Sequence, residues 1–184
     1  HPLPLFMRGK LPVERGGRLY YNKAVRPVYT DRKKVERKAG GRMNTILQAL
    51  KQEMIDRDYK CVGGKGEGVL FSSHKNGIAP LLDLYEAQLG GEGGLCICDR
   101  VFGKAAVFVA YLCGARDCYA FVASRPALDL AAELGMQLDC ETEVPFIENR
   151  DKTGQCPIEN SVMDCRGPEE ALTAIRRRLA ALRG

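Results

Sequence analysis

From Asn44 onward, apolar positions recur with a spacing that divides the chain into alternating helices and strands. Asn44 or Thr45 can cap a helix running to about Arg57, because Ile46, Leu47, Leu50 and Met54 then share one face. Residues 60–63 and 68–73 read as two short strands around a glycine-rich turn, a hairpin. Residues 78–89 repeat with the period of an amphipathic helix, with Pro80 in the first turn, where no N–H is needed. Residues 90–94, four of them glycine, read as a loop. Beyond it, 95–99 is an apolar strand and 101–113 a helix that is apolar nearly all round. Residues 119–123 form another apolar strand, 126–134 a helix ended by Gly135, and 136–140 the fifth strand. A final helix over 168–182 aligns Leu172, Ile175, Leu179 and Leu182. Successive strand–helix–strand units with apolar strands predict a three-layer α/β/α domain, its five-stranded mixed sheet covered on both faces.

Residues 1–42 hold no such period, and charge separates them from the rest. They carry twelve Lys/Arg against three Asp/Glu, a net of +9, whereas residues 43–184 carry sixteen against twenty, a net of −4. So basic and apolar-poor a segment buries too little surface to offset the entropy of ordering it. It is expected to be a disordered extension, with residues 43–184 as the folded domain. A basic arm on an acidic body can serve as a nucleic-acid arm. More commonly it is a solvated tail, and no nucleic-acid motif is present, so nucleic acid is not the expected partner. The run Lys38 to Met43 can be encoded so that AGGAGG precedes the ATG of Met43, the form of a ribosome-binding site translated in frame. Met43 is therefore the expected natural start.

No apolar run approaches the roughly 20 residues that span a bilayer, and residues 1–30 lack the ordered regions of a secretory signal. A cytoplasmic protein with eight reduced cysteines is expected. The cysteines include no Cys-x-x-Cys pair, and no cofactor motif appears, so neither metal nor cofactor is expected.

Candidate chemistry gathers at three places. In Leu95-Cys-Ile-Cys-Asp99-Arg-Val-Phe-Gly103-Lys104, Asp99 stands where the predicted strand gives way to a helix, the end at which open α/β sheets bind ligands. Lys104 opposes the helix dipole and needs an anionic partner, while Gly103 leaves the backbone open to close approach. The plainer alternative is a helix cap at Asp99 with Lys104 paired to a nearby carboxylate. Ser124 follows a strand and either faces the same pocket or caps the next helix. Arg150 is a fork suited to phosphate or carboxylate. Cys156 precedes Pro157 and would start a short helix, where a thiol can become reactive; a buried inert thiol is the commoner outcome. His74 and His1 are the two histidines, which argues against a Ser–His or Cys–His catalytic pair. The Arg176-Arg177-Arg178 run reads as a solvated helix face.

Gly77-Ile-Ala-Pro-Leu-Leu, Asp99-Arg-Val-Phe-Gly-Lys-Ala-Ala, Ser124-Arg-Pro-Ala-Leu and Cys156-Pro-Ile-Glu, in that order, resemble a family of small uncharacterised prokaryotic proteins with a cytidine-deaminase-like fold. The resemblance covers about Ile46 to Asp164. It implies a three-layer α/β/α domain of five strands, often self-associating in this fold, without implying deamination. Zinc deaminases carry His-x-Glu or Cys-x-Glu on one helix and Pro-Cys-x-x-Cys on the next. Here those places read His74-Lys75-Asn76 and Asp99-Arg100-Val101-Phe102, lacking the glutamate and both thiolates. The expected function is a pocket for a nucleotide-like or anionic small molecule, lined by Asp99, Gly103, Lys104, Ser124 and Arg150. A nucleic-acid module built on residues 8–42 and a homo-oligomeric scaffold are the alternatives.

Overall fold

The computed structural model describes residues 44–66, 68–89 and 93–183. The expectations for residues 1–42, and for a start at Met43, lie outside the described residues. The described part is an α/β fold around one five-stranded mixed sheet.

Helix α1 (Thr45–Asp56) begins where the sequence places it, with the Asn44 side chain accepting the Ile46 N–H at 3.2 Å. Its buried residues Leu47, Leu50 and Met54 pack on Val62, Cys96, Cys98 and Tyr119 of the sheet. Lys51 fastens the same helix sideways, its ammonium donating to the Tyr119 hydroxyl and to Glu141, each at 2.6 Å. Strands β1 (Cys61–Lys65) and β2 (Gly68–Ser73) form the hairpin, with a register shift between Gly63 and Gly64. A Cβ at Gly64 would stand 2.6 Å from the Gly68 carbonyl and 2.8 Å from Leu50, so only glycine lets helix and hairpin close together here.

Helix α2 (Ala79–Glu86) leads to β3 (Leu95–Phe102), α3 (Lys104–Leu112), β4 (Ala115–Ser124), α4 (Arg125–Glu133) and β5 (Gln137–Val144). The sheet order is β2-β1-β3-β4-β5. Strand β1 runs antiparallel to both its neighbours, whereas β3, β4 and β5 are parallel, joined by the crossover helices α3 and α4. The larger core lies on the face opposite α1, where Leu95, Ile97, Cys118 and Ala120 meet the apolar α3 and the inner sides of α2 and α4. A four-residue turn of helix, α5 (Pro157–Asn160), precedes α6 (Pro168–Ala181), which lies against α3 through Ala171, Leu172 and Ile175. Leu182, expected in that stripe, lies past the helix end and is exposed.

Candidate functional site

Strand β3 continues three residues past the predicted end, and this decides where Asp99 sits. Val101 and Phe102 pair with Val122 and Ala123 of β4, so Asp99 is an interior strand residue, flanked by Cys61 of β1 and Ala120 of β4. Arg100 does not end the strand because its side chain leaves on the other face. There its Nε donates to the Tyr59 carbonyl at 3.2 Å and its Nη2 to Asp58 at 2.7 Å.

Asp99 is 6% exposed. Its Oδ1 accepts the Val101 N–H at 3.1 Å, and the Cys61 thiol also hydrogen-bonds to the carboxyl. Burial pushes the carboxyl up to about 7; the hydrogen bonds from Val101, Cys61 and Arg100 and the Arg100 charge oppose the shift without cancelling it. Asp99 is one of the residues lining a cavity of about 240 Å³, with Lys60, Asn76, Gly77, Arg100 and Val101. At the side of this cavity Lys60 and Arg100 share a single carboxylate. Lys60 Nζ lies 3.2 Å and Arg100 Nη2 2.7 Å from the same oxygen of Asp58, whose side chain is 75% exposed. The hydrogen bond and charge of Lys60, with help from Arg100, hold that exposed carboxyl below its usual range. The His74 ring nitrogen lies 3.2 Å from the Asp58 carbonyl, and the ring packs on Tyr59 at 4.6 Å.

The other expected residues collect elsewhere. Gly103, Lys104 and Ser124 meet at the carboxyl ends of β3 and β4 around Glu159, a fully buried residue of α5. Glu159 Oε1 accepts the Lys104 backbone N–H at 3.1 Å and the Ser124 hydroxyl, while Oε2 accepts the Ile147 N–H at 2.7 Å. Ser124 also caps α4, its Oγ accepting the Ala127 N–H at 3.3 Å. The anion at the start of α3 is therefore a protein carboxylate, placed where the helix dipole favours it. The Lys104 ammonium turns away, donating to the Met163 carbonyl at 2.6 Å and lying 5.9 Å from the centre of the Phe108 ring. Gly103 is needed for the carboxylate to come close: a Cβ there would stand 3.0 Å from Glu159 Oε1.

Arg150 is exposed at the tip of a small turn closed by the Glu148–Gln155 bridge. Cys156 is half-buried at the start of α5. Of the five residues expected to share a pocket, Asp99 borders the cavity described above, and Gly103, Lys104 and Ser124 form a separate packed cluster. Lys60, Asn76 and Glu159 were not singled out for these places by the sequence. Asn76-Gly77 following a strand was a usable signal for the cavity. For Glu159, the signal was a carboxylate between apolar Ile158 and Val162. Among the described residues, no three or more His, Cys, Asp and Glu side chains are grouped to hold a metal ion. Nor is any described helix long and apolar enough to cross a membrane.

The architecture defines a small α/β protein with a mixed five-stranded sheet, one helix on one face and several on the other. The family model TM1506, domain of unknown function (DUF1893), matches residues 49–179, and the chain belongs to that family. A crystal structure of a DUF1893 family protein (TM1506) from Thermotoga maritima has the same fold, with a TM-score of 0.63 at 24% identity. That likeness covers 82% of this chain and 99% of the other. No curated protein matches the chain.

Proposed function

We propose that the cavity beside Asp99 binds a small anionic molecule, with nucleotide-like phosphates among the candidates. The observation that carries this reading is the charge balance at its side: two cations, Lys60 and Arg100, share one largely exposed carboxylate, Asp58. One positive charge is left over, and the shared carboxylate is solvated enough for a ligand oxyanion to displace it at small cost. Arg100 offers a planar fork and Lys60 a mobile point charge, the two complementary ways of holding phosphate or carboxylate. We read the fold as cytidine-deaminase-like, supported by the mixed five-stranded sheet and by a cavity bordering both 76–77 and 99–101. In place of soft zinc ligands these segments supply a carboxyl, an amide and a guanidinium, which suits binding of an anion better than activation of a metal-bound water.

Thermal scanning of the protein against a panel of nucleotides and phosphorylated metabolites tests the reading. At least one compound should raise the melting temperature, and Lys60→Met should remove most of that rise while leaving the unliganded melt within a degree or so. A wild-type protein that no compound shifts would overturn it.

A further inference from the structure

The two cations that share Asp58 belong to a row of side chains crossing the whole sheet. Val62, Cys98 and Tyr119 lie under α1 on neighbouring strands. Two residues away along each strand, and therefore on the same face, stand Lys60, Arg100 and Phe121. The register carries the row to both edges. Cys61 pairs with Ser73 and with Asp99, which sets Lys60 between His74 and Arg100. Asp99 pairs with Ala120, and Ala120 with Cys140, which sets Phe121 between Arg100 and Glu141. Backbone bonds from the Lys60 N–H to the Ser73 carbonyl at 2.7 Å and from the Arg100 N–H to the Lys60 carbonyl at 3.1 Å hold this rung in place. Side-chain contacts follow the same order. The His74 ring nitrogen meets the Asp58 carbonyl, and Lys60 and Arg100 meet the Asp58 carboxylate. The Arg100 guanidinium lies 5.7 Å from the centre of the Phe121 ring, and the Lys51 ammonium 5.4 Å from that centre and 2.6 Å from Glu141. His74 is exposed, and Lys60, Arg100 and Phe121 are half-buried.

Charge and ring character alternate along this row. Its middle is cationic, because Lys60 and Arg100 outnumber Asp58. Toward β5, Lys51 is matched by Glu141, so that end presents the Phe121 ring without a surplus of charge. Toward the other edge stands a second aromatic platform, the His74 imidazole against Tyr59 with ring centres 4.6 Å apart. Adjacent strands lie about 4.8 Å apart, so three spacings place the two aromatic ends about 14 Å from each other with the cations between them. Building on the anion-binding reading above, we propose that this row binds a dinucleotide, two nucleosides joined through a diphosphate. The diphosphate takes the place of the Asp58 carboxylate on Lys60 and Arg100. One base stacks at Phe121 and the other at the His74–Tyr59 pair. A bridging diphosphate carries one negative charge on each phosphate, which matches two cations freed of their carboxylate. Stacking on an aromatic ring tolerates any base, and a guanidinium beside the ring adds its own planar surface. A mononucleotide would engage one platform only, and free diphosphate neither.

Isothermal titration calorimetry of the full chain with diadenosine diphosphate, ADP and inorganic pyrophosphate tests the proposal. Diadenosine diphosphate should bind about tenfold more tightly than ADP, the worth of one further stacked base. Phe121→Leu keeps apolar volume under α1 without the ring, and His74→Gln changes an exposed position, so both variants should melt with the wild type. Each should weaken diadenosine diphosphate by about tenfold and leave pyrophosphate unchanged. Lys60→Met should weaken all three compounds. Diadenosine diphosphate that binds no more tightly than ADP, or that neither ring variant weakens, overturns the dinucleotide site. Pyrophosphate binding that Lys60→Met weakens would in that case leave the anion site standing. No binding of any of the three to the wild type overturns both.

Discussion

Asp99 occupies a strand position that Val or Ile would ordinarily fill, with Cys61 and Ala120 on either side. The effect on stability follows from the sign of its shift. An ordinary carboxyl in the unfolded chain titrates near 3.8, whereas burial brings the folded value to about 7. The folded protein therefore holds a proton that the unfolded chain releases, and Asp99 favours folding fully only below pH 4. Between pH 4 and 7 that contribution is lost, amounting to about 4 kcal/mol at roughly 1.4 kcal/mol per pH unit, and above pH 7 no more is lost. Asp99→Asn should accordingly be more stable than wild type at pH 8, by an amount that vanishes toward pH 4. Denaturant melts of both proteins from pH 4 to 8 measure this directly; a constant difference across the range would mean that Asp99 is ionised throughout. The sequence marked Asp99 as special but placed it at a strand end, where the expected strand 95–99 gave way to an expected helix over 101–113. A strand presents alternate residues to opposite faces, and Arg100 found Asp58 and a carbonyl on the face that Asp99 does not use.

At the scale of elements, local periodicity carried most of the fold and failed where contacts were distant in sequence. The capped α1, the hairpin, the proline-led α2 and the strand–helix alternation all followed from patterns within a dozen residues. The ends of β3, β4 and β5 did not, since each strand is longer than its apolar run; pairing with a neighbour, rather than side-chain type, sets where a strand stops. Gly103, Lys104 and Ser124 were expected to line a ligand pocket with Asp99 and Arg150, yet what joins the three is Glu159, 55 residues beyond Lys104. That carboxylate ties the start of α3, the start of α4 and the segment at Ile147 to α5. Glu159→Ala would leave two backbone N–H groups and a hydroxyl without their acceptor, and should cost about 3–5 kcal/mol. Ser124→Ala should cost nearer 1–2 kcal/mol, and the two losses should be far from additive because they break the same contact. A double-mutant cycle on unfolding free energies checks both statements; additive losses would dissolve the proposed latch into independent contacts.

Across the whole molecule, the eight cysteines sort by depth. Five of them, Cys61, Cys96, Cys98, Cys113 and Cys118, are buried against the sheet or under α2, and burial raises each of their thiols above the ordinary range. Here they act as small apolar side chains that fill narrow space between close-packed helices and strands. Cys140, Cys156 and Cys165 are half-buried. Among these, partial burial and the nearby Glu170 raise the Cys165 thiol, and Cys140 packs against the larger core from β5. Cys156 stands apart from the sheet at the start of α5, on the segment that Glu159 holds in place. A thiol reagent reacts with thiolate that it can reach, so depth and titration act in the same direction. At pH 8 a chromogenic disulfide should modify no more than three thiols of the native protein within minutes, with Cys156 the fastest. The remaining five should follow only as the protein opens, at a rate that does not depend on reagent concentration. Cys156→Ser should remove the fast phase alone, and Glu159→Ala should accelerate the slow one by loosening the helices over the sheet. Five or more thiols reacting promptly in the native state would show that the sheet is far less closed than its packing requires.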